Sequence, residues 1–483
     1  MTGKGKTYNL LIPEKVQIRI VRIEDLLKER IKYFHHDNLI LILSIITTHI
    51  QEDDKGNSYA QLKMKYLRNR VWNASEYISA LKDIGVIQTF GKYITKEFAA
   101  KHNIDFNSYR YQFTDEYKSP GTKTELTNPK LIRTLAEAKA KEGRKTSRKY
   151  PAQKKILQKL TIDDRTAEEK VKRTYVKKNE VDKLNSALAA ITRIQNEDWS
   201  FTVDDKVARL HTNLTNLPKV LRSTIRINGQ KLKGYDIGNS VPFMANKILN
   251  NPESAGKFYP EPAKYPIMML KSLRLSEQQD VRQYALITSK AEFYKYLATE
   301  FNKRGFSYDF ETEKGKERLK KKVFQILFSS NQYSCKEKKI FHELFPGVNK
   351  AFSVLRMQKR DYLNYTLSRL ESFAVLDLIL ENLNTNFPEL YATQIYDSVI
   401  SVVEDDGTAL RIMREKLTEF IGVPPTLKAV DNFNEIEAEK FSTAPNFLSK
   451  TQSFNSNSLK EEEERRGTEG GGSPYDGEIF VKC

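Results

Sequence analysis

The chain has 483 residues, of which 39% are hydrophobic and 11% aromatic, enough for more than one domain with its own core. Its 80 Lys and Arg against 62 Asp and Glu leave a formal charge of +18, which points to an anionic partner; the aromatic content favours nucleic acid over a purely electrostatic membrane contact. Two cysteines, Cys335 and Cys483, leave no disulfide framework or zinc knuckle to build, and the six histidines form neither an H-x-x-x-H pair nor a triad pattern, so zinc and Ser-His chemistry are set aside.

Residues 1–117 come first. "DNLILILSIITTHI" (37–50) reads as a buried helix; its apolar core, "NLILILSII", is too short to span a bilayer, so no membrane contact is expected. "SYAQLKMKYLRNR" (58–70) places Leu62, Tyr66 and Arg70 four residues apart and reads as a second helix. "NASEYISALKDIGVIQ" (73–88) opens on a candidate cap, Asn73 or Ser75, and closes on Gly85. "VIQTFGKYI" and "SYRYQFTDEY" then alternate like a hairpin with a return strand. Three helices followed by a small β-wing resemble a winged helix-turn-helix domain, with 73–83 in the recognition position. That resemblance implies sequence-specific DNA contact, although the same fold also serves protein contacts.

Residues 118–129, beginning "KSPGTKTELTN", read as a linker. The next segment, 130–199, is helix-prone and basic: from Lys130 to Lys178 there are 17 Lys or Arg against 6 Asp or Glu. That concentration suits a phosphate backbone better than a merely solvated face. At the other end, residues 436–483 turn polar and repetitive and read as a disordered tail.

Between these flanks four segments carry the chemistry. They are "RLHTNLTNLPKVLR" (209–222), "LKGYDIGNSVPFMANKIL" (232–249), "KERLKKKVFQILFSSNQYS" (316–334) and "YATQIYDSVISVV" (391–403). The second delivers Asp236 at a strand end, before a helix over 241–249. The fourth reads as a β-hairpin with its turn at Tyr396-Asp397-Ser398. Adjacent strands of one antiparallel sheet would bring these acids together, and paired carboxylates are what two magnesium ions about 3.5–4 Å apart require for phosphoryl transfer. In the third segment Lys316, Lys320, Phe324 and Phe328 recur every four residues, along one helical stripe suited to a triphosphate followed by a base. The bland reading of that stripe is a surface helix whose lysines snorkel and whose phenylalanines pack in a core.

In this order the segments resemble the polymerase core of family A DNA polymerases, the DNA polymerase I type, over about 200–428. "NLTNLP" (213–218), with Arg209-Leu210 ahead of it, is similar to the family's N-L-x-N-[IL]-P signature. "GYDIGNS" stands at motif A and "IYDSVISV" at motif C, while K-x3-K-x3-F-x3-F matches the spacing of the fingers helix R-x3-K-x3-F-G-x2-Y-G. "FHELFPGVNKAF" (341–352) resembles the F-P-G-V stretch that follows, and "LSRLESFAVLDLIL" (367–380) the long helix before motif C.

The resemblance implies an α+β chain: an N-terminal winged-helix-like domain, then a right-hand polymerase with an antiparallel palm sheet and helical fingers and thumb. Residues 130–199 would be the thumb, 200–275 and 367–435 the two parts of the palm, and 276–366 the fingers. Asp236 and Asp397 would be catalytic and would hold two Mg²⁺ with the carbonyl of Ile237. Lys316, Lys320, Phe324, Phe328 and Ile237 would meet the nucleoside triphosphate, with room for it left by Gly238-Asn239-Ser240. Arg209, Asn213, Asn216 and Arg222 would meet the DNA primer-template.

The sequence departs from the pattern at several places. Val241 stands where the family has a sugar-selecting Glu, Tyr396 and Ser398 flank the second acid in place of His and Glu, and Lys316, Gln325 and Phe328 replace Arg, Gly and Tyr on the fingers helix. Lys for Arg keeps the charge and loses the bidentate fork. The resulting expectation is a template-directed DNA polymerase without proofreading, from a phage, plasmid or mobile element, working in the cytoplasm of a bacterial or infected cell. Two alternatives stand beside it: a DNA-binding replication initiator or regulator on a decayed polymerase core, and a template-independent or RNA-making nucleotidyltransferase.

Overall fold

A computed structural model of the chain describes residues 7–52, 58–90, 109–178, 180–260, 264–430 and 433. The expected C-terminal tail and the tip of the expected wing, 91–108, lie outside the described residues. The fold mixes helix and sheet. Among the described residues no helix is long and apolar enough to cross a membrane.

The N-terminal region opens with β1 (Tyr8–Pro13), α1 (Glu14–Ile18), α2 (Ile20–Lys28) and α3 (His36–Thr48). Helix α3 is buried along almost its whole length, as its apolar run, interrupted only by Ser44, requires. It packs on β1, on α5 (Ala74–Asp83) and on a later helix over 181–195. Strands β2 (Ile50–Glu52), β3 (Ser58–Gln61), β4 (Ile87–Phe90) and β5 (Arg110–Phe113) form an antiparallel sheet in the order β2-β3-β5-β4.

The segment expected as one helix over 58–70 is thus divided. Its first part is β3, with Ala60 paired to Ile50 on one side and Tyr111 on the other, and only α4 (Met64–Arg68) is helical. Ladder pairing on both edges overrides the local helix signal. The expected linker is also structured: β6 (Gly121–Leu126) pairs along its full length with β1, Tyr8 opposite Leu126 and Pro13 opposite Gly121.

This two-stranded ribbon separates two hydrophobic cores. Because side chains alternate along a strand, Leu11 joins the larger core and Ile12 the smaller, N-terminal one. Gly121 allows the close pairing, since a Cβ there would sit 2.5 Å from Leu11 Cγ.

The basic segment is helical: α6 (Pro129–Lys149), α7 (Pro151–Leu157), the short strand β7 (Leu160–Ile162), α8 (Asp164–Tyr175) and α9 (Val181–Gln195). Asn128 caps α6 by accepting hydrogen bonds from Lys130 N and Leu131 N, and Pro151 at the first position of α7 marks the break. Strands β8 (Phe201–Val203) and β9 (Leu210–Thr212) pair with each other, and β10 (Ile225–Ile227) pairs with β7.

Next come β11 (Leu232–Ile237) and α10 (Ser240–Asn250), then a helical run that includes α11 (Gln279–Ser289), α12 (Phe293–Asn302), α13 (Glu313–Phe328), α14 (Lys336–Leu344) and α15 (Pro346–Gln358). One near-continuous helix follows, made of α16 (Tyr362–Phe373), a π-helical stretch over Ala374–Leu380 and α17 (Glu381–Asn386). The described chain ends on β12 (Thr393–Ile395), β13 (Ser398–Val402), α18 (Thr408–Ile421) and β14 (Leu427–Ala429). The site-bearing sheet runs β12-β13-β11-β14, with every neighbour antiparallel.

A candidate two-carboxylate site at the end of the central strand

Strand β11 lies between β13 and β14. Its register with β13 sets Leu232 against Val402 and Asp236 against Ser398. Asp397 is the residue just before Ser398 and the second residue of the tight turn from β12, which Tyr396 enters at φ +58°. The two acids, 161 positions apart in sequence, therefore meet at one end of one sheet. The Ser398 hydroxyl donates to Asp236 Oδ1 at 2.9 Å. Burial first, then the charges of Glu371 and Asp236, push the Asp397 carboxyl well above the usual carboxylate range.

Glu371, on α16, is only 3% exposed. It accepts from the Arg209 guanidinium at 2.8 Å and from the Ser240 hydroxyl at 2.7 Å. Those bonds fix the first residue of α10 and hold Arg209 beside the hairpin, its Cζ 5.4 Å from the centre of the Tyr396 ring. Arg222 completes the ring of charge: burial lowers its pKa, and Tyr396 and Asp236 act against that. Its Nε is buried without a hydrogen-bond partner. Tyr294, on α12, faces the same centre, since burial and then the charge of Asp397 raise its hydroxyl pKa.

Helix α13 approaches through Tyr294, whose ring centre lies 5.9 Å from Lys320 Nζ. The fully buried stripe of α13 is Leu319, Val323, Ile326 and Leu327. The stripe singled out in the sequence runs beside it: Lys320 is exposed, while Lys316, Phe324 and Phe328 are half-buried. The Phe324 and Phe328 rings lie 5.8 Å apart at 30°. Phe328 also packs on the core, and Lys316 pairs with Glu313 of its own helix at 3.2 Å. Two buried cations hold the far end of α13. Arg356 donates to Ile326 O and Leu327 O, and Lys338 to Ser329 Oγ and Ser330 O.

The remaining expected residues divide between framework and surface. Asn213 is buried and clamps its own loop, accepting from Ser200 N at 2.7 Å and donating to Asp198 O at 3.0 Å. Asn216 is exposed. Ile237 is buried at the end of β11, next to Gly238, whose N–H donates to Thr426 O at 2.9 Å. On its Cβ side Gly238 is closely packed, since a Cβ there would meet Ala291 Cβ at 2.6 Å and Thr426 O at 2.9 Å. Asn239 then takes φ +55° to start α10.

Glu371 and Tyr294 were not singled out in the sequence, and Ser240 was noted only for the room it leaves, not for a hydrogen bond. Glu371 had a signal: it falls on the apolar stripe Leu363, Leu367, Leu370, where a buried charge needs partners. Tyr294 had none. A cleft of about 640 Å³ lined by Lys247, Lys257, Phe373, Asp377, Glu381 and Phe420 includes none of the expected site residues. Among the described residues no group of three or more His, Cys, Asp or Glu is placed to hold a metal ion, so a metal here would rest on the two acids and backbone or solvent oxygens.

No family model matches the chain, and no curated protein matches it. Among solved structures the chain is similar to the POL domain of Pol1 from M. smegmatis, in a complex with DNA primer-template and dNTP, over 54% of this chain and 55% of that one, with 13% identity and a TM-score of 0.31. The match thus spans about half the length of that chain.

Proposed function

We propose that this chain is a nucleic-acid polymerase, a template-directed nucleotidyltransferase of the family A type. The observation that carries the reading is the β11–β13 register, which brings Asp236 and Asp397 to one sheet end within the field of a third carboxylate. Like charges so close are unfavourable unless a cation or a proton intervenes, and such crowding is a mark of functional sites.

The donors fit magnesium. Carboxylate oxygens are hard ligands, and a divalent cation would offset the burial and the like charges that raise the Asp397 pKa. Asp236 and Asp397, with the Ile237 carbonyl, would hold the two ions. When bound, such ions lower the pKa of an attacking hydroxyl and stabilise the charge developing on the transferred phosphoryl group.

The chain's own residues do the rest. Lys320, exposed beside Tyr294, neutralises the triphosphate, with Lys316 as a second cation once released from Glu313. Phe324 and Phe328 present half-buried rings to a base. Arg222 and Asn216 meet the primer-template, Arg209 is aimed by Glu371, and Asn213 shapes the loop that carries them. The basic helices α6–α8 grip the phosphate backbone.

Two observations favour a second reading, a DNA-binding initiator or regulator on a core that no longer turns over. Ser398 occupies a lone pair of Asp236, and Lys316 is tied to Glu313. Primer extension with Mg²⁺, a labelled primer-template and either dNTPs or NTPs separates the two. Template-directed products that vanish in Asp236→Asn and Asp397→Asn establish the polymerase and its sugar choice. Products that ignore the template indicate a terminal transferase. DNA binding without products leaves the initiator.

A further inference from the structure

Two neighbouring aromatic side chains of the N-terminal region are left largely in water by folding. Trp72 is 65% exposed and Tyr33 is 53% exposed. Their ring centres are 5.9 Å apart and their planes are tilted by 54°, so neither ring covers the face of the other. Large exposed aromatics side by side are unusual on a surface with no partner.

The scaffold beneath them is rigid. Tyr33 lies in the turn after α2, and Trp72 in the turn that leads into α5. Asn73 donates to Tyr33 O at 3.4 Å, while the Tyr77 hydroxyl of α5 accepts from His35 N at 2.7 Å and donates to His35 O at 3.1 Å. Both rings are thus set on a pre-organised base, which lowers the entropy lost when something binds.

Charge selects the occupant. Residues 63–72, "KMKYLRNRVW", hold four Lys or Arg and no Asp or Glu. Lys63, Lys65 and Arg68 are exposed, and Lys32 Nζ lies 5.4 Å from the Tyr33 ring centre. Helix α5 differs. Its outward residues are Glu76, Ser79, Lys82 and Asp83, two acids to one base, which repels phosphate. The recognition-helix reading of 73–83 is therefore poorly supported by charge, while the turns at the start of that helix are basic and aromatic together.

We infer that Tyr33 and Trp72 form a stacking platform for the bases of a single-stranded nucleic acid, with Lys32 and Arg68 against the flanking phosphates. Single strands are selected because their base faces are free, whereas duplex bases are already stacked. Sequence preference is weak, since every base offers a π-face.

The chain has two tryptophans, so Trp199→Phe leaves Trp72 as the only one and its emission reports locally. The full-length protein is titrated into fluorophore-labelled oligo(dT) and a labelled abasic oligomer of equal length, with binding read for every variant from the anisotropy of the label, and Trp72 emission is followed with each strand and with phosphatidylserine vesicles. Oligo(dT) is expected to quench Trp72, and the abasic strand to bind more weakly without quenching. Trp72→Ala and Tyr33→Ala should each weaken oligo(dT) binding about tenfold, Trp72→Phe should retain most of it, and Lys32→Ala with Arg68→Ala should flatten the salt dependence. Because the signal comes from Trp72, the outcome does not depend on whether the two acids catalyse anything. Equal binding of the abasic strand, unchanged binding in Trp72→Ala, or quenching by vesicles and not by oligo(dT) would each overturn the platform, the last in favour of a membrane surface.

Discussion

Asp37 and Asp397 are both acids on the edge of an apolar core, and they are surrounded in opposite ways. Asp37, buried at the start of α3, accepts from Thr127 N, Thr127 Oγ and Asn128 N, so donors satisfy its charge and tie the N-terminal core to the start of α6. Asp397 sits among acids: burial first, then Glu371 and Asp236, raise its pKa. A carboxylate surrounded by donors holds a structure together. One surrounded by carboxylates is unfavourable as it stands, and it points to a ligand that brings positive charge.

The largest effect expected from breaking this contrast is at Asp397. Replacing it with Asn should reduce nucleotidyl transfer by about a thousandfold or more, on the scale of losing a key charge stabiliser. Thermal stability should hold or rise, because like-charge crowding is relieved. Primer extension and a melting curve on the same sample test both halves. A variant that is inactive because it is unfolded would contradict the reading. At Asp37 the signs reverse: Asp37→Ala should lower stability by about 1–3 kcal/mol through its three abandoned donors and leave the turnover of folded molecules unchanged. Denaturant titration alongside single-turnover rates decides it.

The same contrast explains what could be read from the sequence. Asp236 and Asp397 were legible because each ends a short apolar run next to turn residues, a local pattern that needs no knowledge of the partner strand. Helix α3 was legible from its apolar run, Leu39 to Ile46 with only Ser44 polar. The ribbon was not. "GTKTEL" is mostly polar, and it becomes strand β6 only because Tyr8–Pro13, more than a hundred positions earlier, offers a ladder. The bonds from Glu371 to Ser240 and Arg209 span 131 and 162 positions, beyond any periodicity argument. The span 58–70 misled for a related reason: the four-residue spacing of Leu62, Tyr66 and Arg70 suggested helix throughout, and pairing on two edges made 58–61 a strand. The helical repeat of Lys316 to Phe328 did locate a stripe, but only the structure separates it from the buried stripe one residue away.

Glu371 allows the comparison to be graded. Its carboxylate positions Arg209 and Ser240 without being one of the two paired acids. Glu371→Gln keeps an acceptor for the Ser240 hydroxyl and loses the ion pair; Glu371→Ala loses both. The Gln variant should fall about tenfold in single-turnover rate and the Ala variant about a hundredfold, the size of effect a small misplacement produces. Equal losses in the two would mean that only the charge matters, and no loss in either would remove Glu371 from the site.

The smallest expected effect concerns a buried cation rather than an acid. Lys338 is 9% exposed, and its partners are Ser329 Oγ at 3.1 Å and Ser330 O at 2.8 Å, both neutral. Burial first, then the charge of Arg356, push its pKa down from 10.5 to about 8. Below about pH 8 the amine is charged in both the folded and the unfolded chain, and the folded state bears the desolvation. Between about pH 8 and 10.5 the unfolded chain still holds the proton and the folded one has released it, so folding gains stability as pH rises through that window. The neutral amine still donates to both serines, so the end of α13 stays anchored. Wild type should therefore gain on Lys338→Met between about pH 7.5 and 9.5, measured as the difference between their denaturation midpoints, since groups common to both cancel. A difference that is flat with pH would mean that Lys338 keeps its proton, and the burial of this cation would then resemble that of Asp37, a charge held by its hydrogen bonds.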